Sequence, residues 1–281
     1  MTTKTDLQSW INQAVVALSD SEIPFLEVLV IASFILDKPR EWIIAHSNEM
    51  LREDQLEQLD SYVDRLIKGE PLAYITGKQA FYGLDFIVTP AVLIPRPETE
   101  LLVEEASQWL NLHPQRSNVI DLCTGSGIIA VTLANAFPEI RMTAVDISEE
   151  ALTIAKKNAF MHRLQNRIAW IKGDLFSDSE GVFDLILSNP PYIPSAVLDS
   201  LEVSKHEPRL ALDGGQDGLH IISRLLEQSV DHLNPGGALF FEIESTLSEP
   251  VLQLAYKFFP DAGIDLLFDY ADLPRLVKIQ K

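Results

Sequence analysis

The chain has 281 residues, 47% hydrophobic and 22% charged, a globular balance with room for one large domain and a small one. Its 41 acidic residues against 22 basic ones give a formal net charge of −19. A surface of that sign repels phosphate backbones, so direct nucleic-acid binding is not expected and a protein or small-molecule substrate fits better.

No apolar run approaches the ~20 residues of a membrane-spanning helix. Met1 to Asp6 lack the basic-then-apolar order of a secretory signal. The expectation is a cytoplasmic protein with no membrane association. Cys123 is the only cysteine, which forbids an internal disulfide and disfavours a thiolate metal site. No metal is expected, and a small buried residue in a turn is the plain reading of Cys123.

Leu7, Trp10, Ile11, Ala14, Val15 and Leu18 recur at helical spacing. Pro24 is placed to open a second helix through Leu36, and Leu56, Leu59, Val63, Leu66 and Ile67 mark another, stopped by Gly69 and Pro71. Residues 1–75 therefore read as a small helical bundle, either a prop for the larger domain or the dock for a substrate protein. Residues 76–97 read as a hairpin, with Phe81, Tyr82, Gly83 and Phe86-Ile-Val-Thr89, then a stiff stretch around Pro90, Pro95 and Pro97. From Glu98 to the end, helical spacing through Trp109 gives way to strands and helices in alternation. Strands are predicted at Val119–Leu122, Met142–Val145, Arg167–Ile171, Phe183–Leu187, Ala238–Ile243 and Leu276–Ile279, with helices across Ile128–Phe137 and Ala151–Ala159. That alternation is the pattern of an α/β fold, a mostly parallel sheet covered by helices on both faces.

In such a sheet the ligand sits beyond the carboxyl ends of the strands. The first predicted strand runs into Asp121-Leu-Cys-Thr-Gly-Ser-Gly127. Asp121, Cys123, Thr124, Gly125, Ser126 and Gly127 are candidate cofactor residues, because glycines let a ligand approach the backbone and the following helix offers free N–H groups. The loop alone fits a dinucleotide, another adenosine cofactor, or a mere tight turn. Asp146, ending the second strand, can accept from both ribose hydroxyls, with Ser148 available to cap the next helix. Asp174 in Gly173-Asp-Leu175 can reach an adenine amino group while Leu175 packs on the ring, or Asp174 can cap a turn.

The fourth strand runs into Asn189-Pro-Pro-Tyr192. A planar NH2 group is a poor nucleophile because its lone pair is delocalised, so an enzyme that methylates one must hold both N–H bonds. The Asn189 side-chain oxygen can accept one and the Pro190 carbonyl the other, while Tyr192 can stack on the flat group. Alignment and local electrostatics then carry catalysis. Asn189, Pro190 and Tyr192 are the candidate catalytic residues, Pro191 a substrate contact, and S-adenosylmethionine the expected cofactor, leaving as S-adenosylhomocysteine.

With these motifs the sequence resembles the protein-glutamine methyltransferases of the PrmC/HemK type, which act on peptide-chain release factors. The resemblance covers Glu70-Pro-Leu-Ala-Tyr-Ile-Thr-Gly77, Pro95-Arg-Pro-Glu-Thr-Glu100, Asp121 to Gly127, Asp146, Gly173-Asp174, Ser188 to Ile193, Glu207-Pro208 and Asp213-Gly-Gly-x-Asp-Gly218. It implies a seven-stranded Rossmann-like class I methyltransferase sheet with a helical N-terminal domain and a hairpin linker. It implies as substrate the glutamine of the Gly-Gly-Gln loop of class I release factors, with Arg96 and Glu98 beside it. A sister family that methylates a ribosomal-protein glutamine carries Pro-Arg-Ser-Pro where this chain has Pro95-Arg96-Pro97-Glu98. Departures from the family pattern are Cys123 and Asp272 in place of glycine, His206 in place of tyrosine, and Glu244 where glycine usually follows Glu-Ile. The alternatives are methylation of a ribosomal protein or nucleic-acid base, and a non-catalytic adenosine-cofactor binding protein.

Overall fold

The computed structural model describes residues 5–281. Residues 1–4, where the reading for a secretory signal began, lie outside the described residues. The chain divides into two compact units after Gly77.

The first unit contains α1 (Leu7–Ala17), α2 (Pro24–Leu36), α3 (Arg40–Ala45), α4 (Glu53–Ile67) and α5 (Leu72–Thr76). Asp6 caps α1 by accepting from the Ser9 N–H at 2.7 Å, and Pro24 opens α2. The apolar stripe of α1 (Leu7, Trp10, Ile11, Ala14) packs with Val28, Ile31 and Ala32 of α2 and with Leu59 and Val63 of α4. Trp10 also donates its indole N–H to Asp60 of α4 at 2.8 Å. The helices α3 and α5, of 6 and 5 residues, are too short to show a period and were not expected.

The second unit opens with the hairpin β1 (Lys78–Phe81) and β2 (Leu84–Ile87), paired in antiparallel register. It continues α6 (Thr99–Leu112), β3 (Asn118–Leu122), α7 (Ile128–Ala136), β4 (Arg141–Asp146), α8 (Glu149–Met161), β5 (Ile168–Lys172), β6 (Phe183–Ser188) and α9 (Ser195–Leu198). It ends with α10 (His220–His232), β7 (Leu233–Glu242), α11 (Ser248–Phe258), β8 (Gly263–Phe268) and β9 (Pro274–Gln280). Seven strands form one sheet in the order β5-β4-β3-β6-β7-β9-β8, in which only β9 runs against the rest. The strands in the middle are apolar on both faces because helices cover both. Val119, Leu185 and Leu187 pack with α6 and α7, whereas Ile120, Leu122 and Ile186 pack with α10 and α11. The amphipathic helices α10 and α11 and the edge strand β8 were not foreseen, and β7 begins at Leu233 rather than at Ala238.

The hairpin is part of this second core. Phe81 and Phe86 are buried in the cluster that includes Leu102, Ala130 and Ala159. Asn158 of α8, fully buried, accepts from the Ile87 N–H at 2.7 Å and donates to Ile87 O at 3.0 Å and Ser126 O at 2.8 Å. One amide thus ties β2 and the loop after β3 to the same helix. Asn158→Ala leaves backbone groups without partners and is expected to cost about 2–4 kcal/mol in chemical denaturation. A loss within about 0.5 kcal/mol, the scale of an ordinary surface change, would show that this tie holds nothing.

Candidate active site

The switch point of the sheet lies between β3 and β6, where successive strands depart in opposite directions. There the Ser188 hydroxyl donates to Leu122 O at 2.9 Å and binds the two strand ends together. A cavity of about 590 Å³ opens above them, within the range of small-molecule sites. Cys123, Thr124, Gly125, Ser126, Asp146, Asp174, Leu175, Asn189 and Pro191 lie on its wall, as does Arg96.

The loop after β3 alternates into the left-handed region, with φ of 59° at Cys123, 56° at Gly125 and 81° at Gly127. Glycine costs least in that conformation, which explains why the family carries glycine where this chain has Cys123. Asp272, a second glycine departure, has φ 60°, whereas Glu244, the third, has φ −78° and caps the following turn by accepting from Thr246 N. Cys123 is half-buried on the cavity wall, and desolvation pushes its thiol up.

Asp146 accepts from Gly125 N at 2.8 Å and Ser148 N at 2.9 Å, and Ser148 itself caps α8 through Ala151 N. Its carboxyl is raised above the usual range by burial, against which these N–H donors act. A carboxylate so placed has lone pairs left for a ribose at the cavity wall. Asp174 is paired with Arg224 at 2.8 Å. Beside it, Leu175 is buried with φ 54°, a strained conformation for leucine of the kind found at ligand sites.

Asn189 follows β6. Its Nδ2 donates to Thr99 Oγ1 at 3.0 Å, Thr99 donates to Glu242 Oε2 at 2.7 Å, and the Tyr192 hydroxyl donates to Glu242 Oε1 at 3.1 Å. Burial raises the Glu242 carboxyl, while the two hydroxyl donors pull it back. No described residue donates to Asn189 Oδ1 or to Pro190 O. The corner is clamped from outside. Gly214 N donates to Ile193 O at 2.9 Å, and a Cβ at Gly214 would lie 2.7 Å from Tyr192 Cα. Backbone packs on backbone here, which only glycine allows.

Family models match residues 9–77 as the PrmC N-terminal domain and residues 97–202 as a Methyltransferase small domain. The chain is 41% identical to the release factor glutamine methyltransferase of Koribacter versatilis, over 92% of each protein. This chain belongs to the release factor glutamine methyltransferase family. It is also 37% identical to the ribosomal protein uL3 glutamine methyltransferase of Francisella tularensis, over 80% of this chain and 75% of that one. A solved Pyrococcus furiosus methyltransferase shares the fold, with a TM-score of 0.51 and 21% identity over 79% of this chain and 98% of that one.

Five of the residues expected to touch ligands, Asp121, Gly127, Tyr192, Glu98 and Pro190, do not line the cavity. Strand alternation turns Asp121 under α7, where it is fully buried and accepts from Thr124 Oγ1 at 2.5 Å and Ala130 N at 3.2 Å. Gly127 is a packing glycine, for a Cβ there would lie 3.0 Å from Ala155 Cβ. The Tyr192 hydroxyl bonds Glu242, and the residue is not among those that line the cavity. Glu98 is exposed at the start of α6. Pro190 is buried. Thr99, Glu242 and Glu207 were missed as individuals, although each lies in or beside a quoted motif. Buried Glu207 pairs with Arg96 and accepts from Ile94 N at 2.9 Å, fixing the proline-rich stretch on the cavity rim.

Burial raises Asp121 to about 7, and its Oδ1 has no partner. A carboxyl raised in the folded state stabilises it fully only below the unfolded value, and that stability is lost as pH rises through the folded one. Asp121→Asn keeps the accepting oxygen and removes the charge. The variant is expected to melt above wild type at pH 8, with the gap closing as pH falls toward 4. A pH-independent difference in melting temperature would contradict this placement of Asp121.

Proposed function

We propose that the protein transfers a methyl group from S-adenosylmethionine to the side-chain amide nitrogen, N5, of the glutamine in the Gly-Gly-Gln loop of class I peptide-chain release factors. The observation that carries the reading is the state of Asn189. Its Nδ2 gives one N–H to Thr99, and the Oδ1 of this cavity-wall residue takes no donor from the described protein. An acceptor with no donor beside a switch-point cavity suits a substrate that brings N–H bonds.

The wall fits the cofactor. Asp146 has acceptor capacity for the ribose, Leu175 and Ile147 offer apolar contact for a flat base, and the loop at Thr124–Ser126 lets a ligand approach the backbone. When bound, S-adenosylmethionine supplies a methyl group on a cationic sulfur. Asn189 Oδ1 and Pro190 O each accept one N–H of the glutamine amide, which turns its lone pair toward that methyl. The work is positioning, and no strong base is required. Pro95–Arg96 and Pro191 line the substrate side, with Arg96 held by Glu207.

Pro97-Glu98 in place of Ser-Pro favours a release factor over a ribosomal protein as substrate. We assign docking of the release factor to the helical unit, where Ile23 and Phe25 are more than half exposed. Action on a translation factor places the enzyme in the cytoplasm. Mass spectrometry of a release-factor digest, with and without the enzyme and cofactor, is expected to show one methyl gained on the loop glutamine. Asn189→Ala is expected to lower that turnover by about 100-fold or more, the scale of removing one transition-state hydrogen bond, with cofactor affinity little changed. Wild-type turnover by this variant would contradict the reading.

A further inference from the structure

The buried chain behind Asn189 runs through Thr99 to the carboxylate of Glu242. Glu242 closes β7, and the parallel register of β6 with β7 pairs Ser188 with Phe241, so Asn189 emerges beside Glu242. Thr99, at the start of α6, lies between them and is fully buried. An ionised carboxylate only accepts, an amide both accepts and donates, and a hydroxyl has one proton to give. Thr99 gives its proton to Glu242, so its oxygen is left to accept, and the group it accepts from is the NH2 of Asn189.

Resting on the function proposed above, we infer that Glu242 and Thr99 are positioning residues whose hydrogen-bond polarity sets which face of the Asn189 amide meets the substrate. Glu242 is buried and does not line the cavity. It acts through Thr99, and Tyr192, bonded to its other oxygen, keeps the carboxylate in place. With the relay reversed, the two ends of the amide would exchange and Asn189 would present an N–H to a substrate that has only N–H bonds to offer at that point.

The polarity can be tested by reversing it on purpose. Asn189→Asp places a second acceptor against Thr99, whose proton is already committed. Glu242→Gln allows position 242 to donate to Thr99, which frees the Thr99 proton for the new carboxylate, while the other carboxylate oxygen still faces the cavity. The experiment is a double-mutant cycle of N189D and E242Q on the full chain. It reads kcat on a release factor at saturating S-adenosylmethionine, and separately the melting temperature of the protein alone. The loss of kcat caused by N189D is expected to be at least about tenfold smaller in the E242Q background, a coupling typical of one shared network. The two melting-temperature shifts are expected to be non-additive in the same sense. Repeating the cycle with Thr99→Val is expected to abolish the coupling, and with Thr99→Ser to retain it. Equal N189D losses in both backgrounds, in rate and in melting, would overturn the relay, as would a coupling that survives Thr99→Val. Full activity of both N189D and N189A would overturn the catalytic reading instead, and the melting cycle would still decide the relay.

Discussion

The two ends of an asparagine amide have nearly the same shape and opposite hydrogen-bonding sense. In the function proposed for this chain, the end that faces the cavity at residue 189 decides whether a substrate NH2 group is received or repelled. The choice is made behind the wall, where the Nδ2 of Asn189 meets the Thr99 hydroxyl and that hydroxyl meets the Glu242 carboxylate. Burying a carboxyl is costly unless its lone pairs are used. Here both Glu242 oxygens have hydroxyl donors. In the proposed reading this fixes the acceptor before substrate arrives, as a preorganised site requires.

The sheet topology brings these groups together. Reversal of direction at β3 and β6 opens the cavity, and the ladder from β6 to β7 places Asn189 next to Glu242. The first turn of α6 delivers Thr99, and Glu207 holds the preceding proline-rich stretch from the other side of the cavity. Gly214 and Gly218 let a second loop lie directly against the Tyr192 backbone. The opposite half of the cavity follows the same logic with different parts. Asp146 organises the loop after β3 through the Gly125 N–H, and Asp121 braces that loop from beneath through Thr124 and Ala130. In each half a buried carboxylate fixes the wall from behind, Glu242 through Thr99 to Asn189 and Asp121 through Thr124 and Ala130 to the loop after β3.

Much of this was legible because it is local. Proline at Pro24, the buried runs of β3 and β6, the hairpin around Gly83 and the Asn189–Tyr192 corner all declare themselves within a few residues. The cofactor loop was legible as a loop, but not which of its side chains face inward. Asp121 and Gly127 differ from their neighbours only through strand alternation and the approach of α8. Tyr192 and Glu98 read as substrate contacts because their motif is a string, whereas the structure turns Tyr192 toward a glutamate 50 positions away. Thr99 and Glu242 are 143 positions apart, and no periodicity connects them. The three glycine departures were visible as departures, and left-handed backbone gives a physical meaning to two of them, Cys123 and Asp272, but not to Glu244.

The most direct test is a neutron or atomic-resolution diffraction structure of the enzyme with S-adenosylhomocysteine and a Gly-Gly-Gln peptide, in which amide protons are seen. The account predicts the glutamine nitrogen about 3 Å from Asn189 Oδ1, an ordinary N–H···O distance, with the Asn189 protons turned inward to Thr99. A structure that shows the Asn189 NH2 facing the peptide, or the glutamine amide bound elsewhere in the cavity, would contradict it.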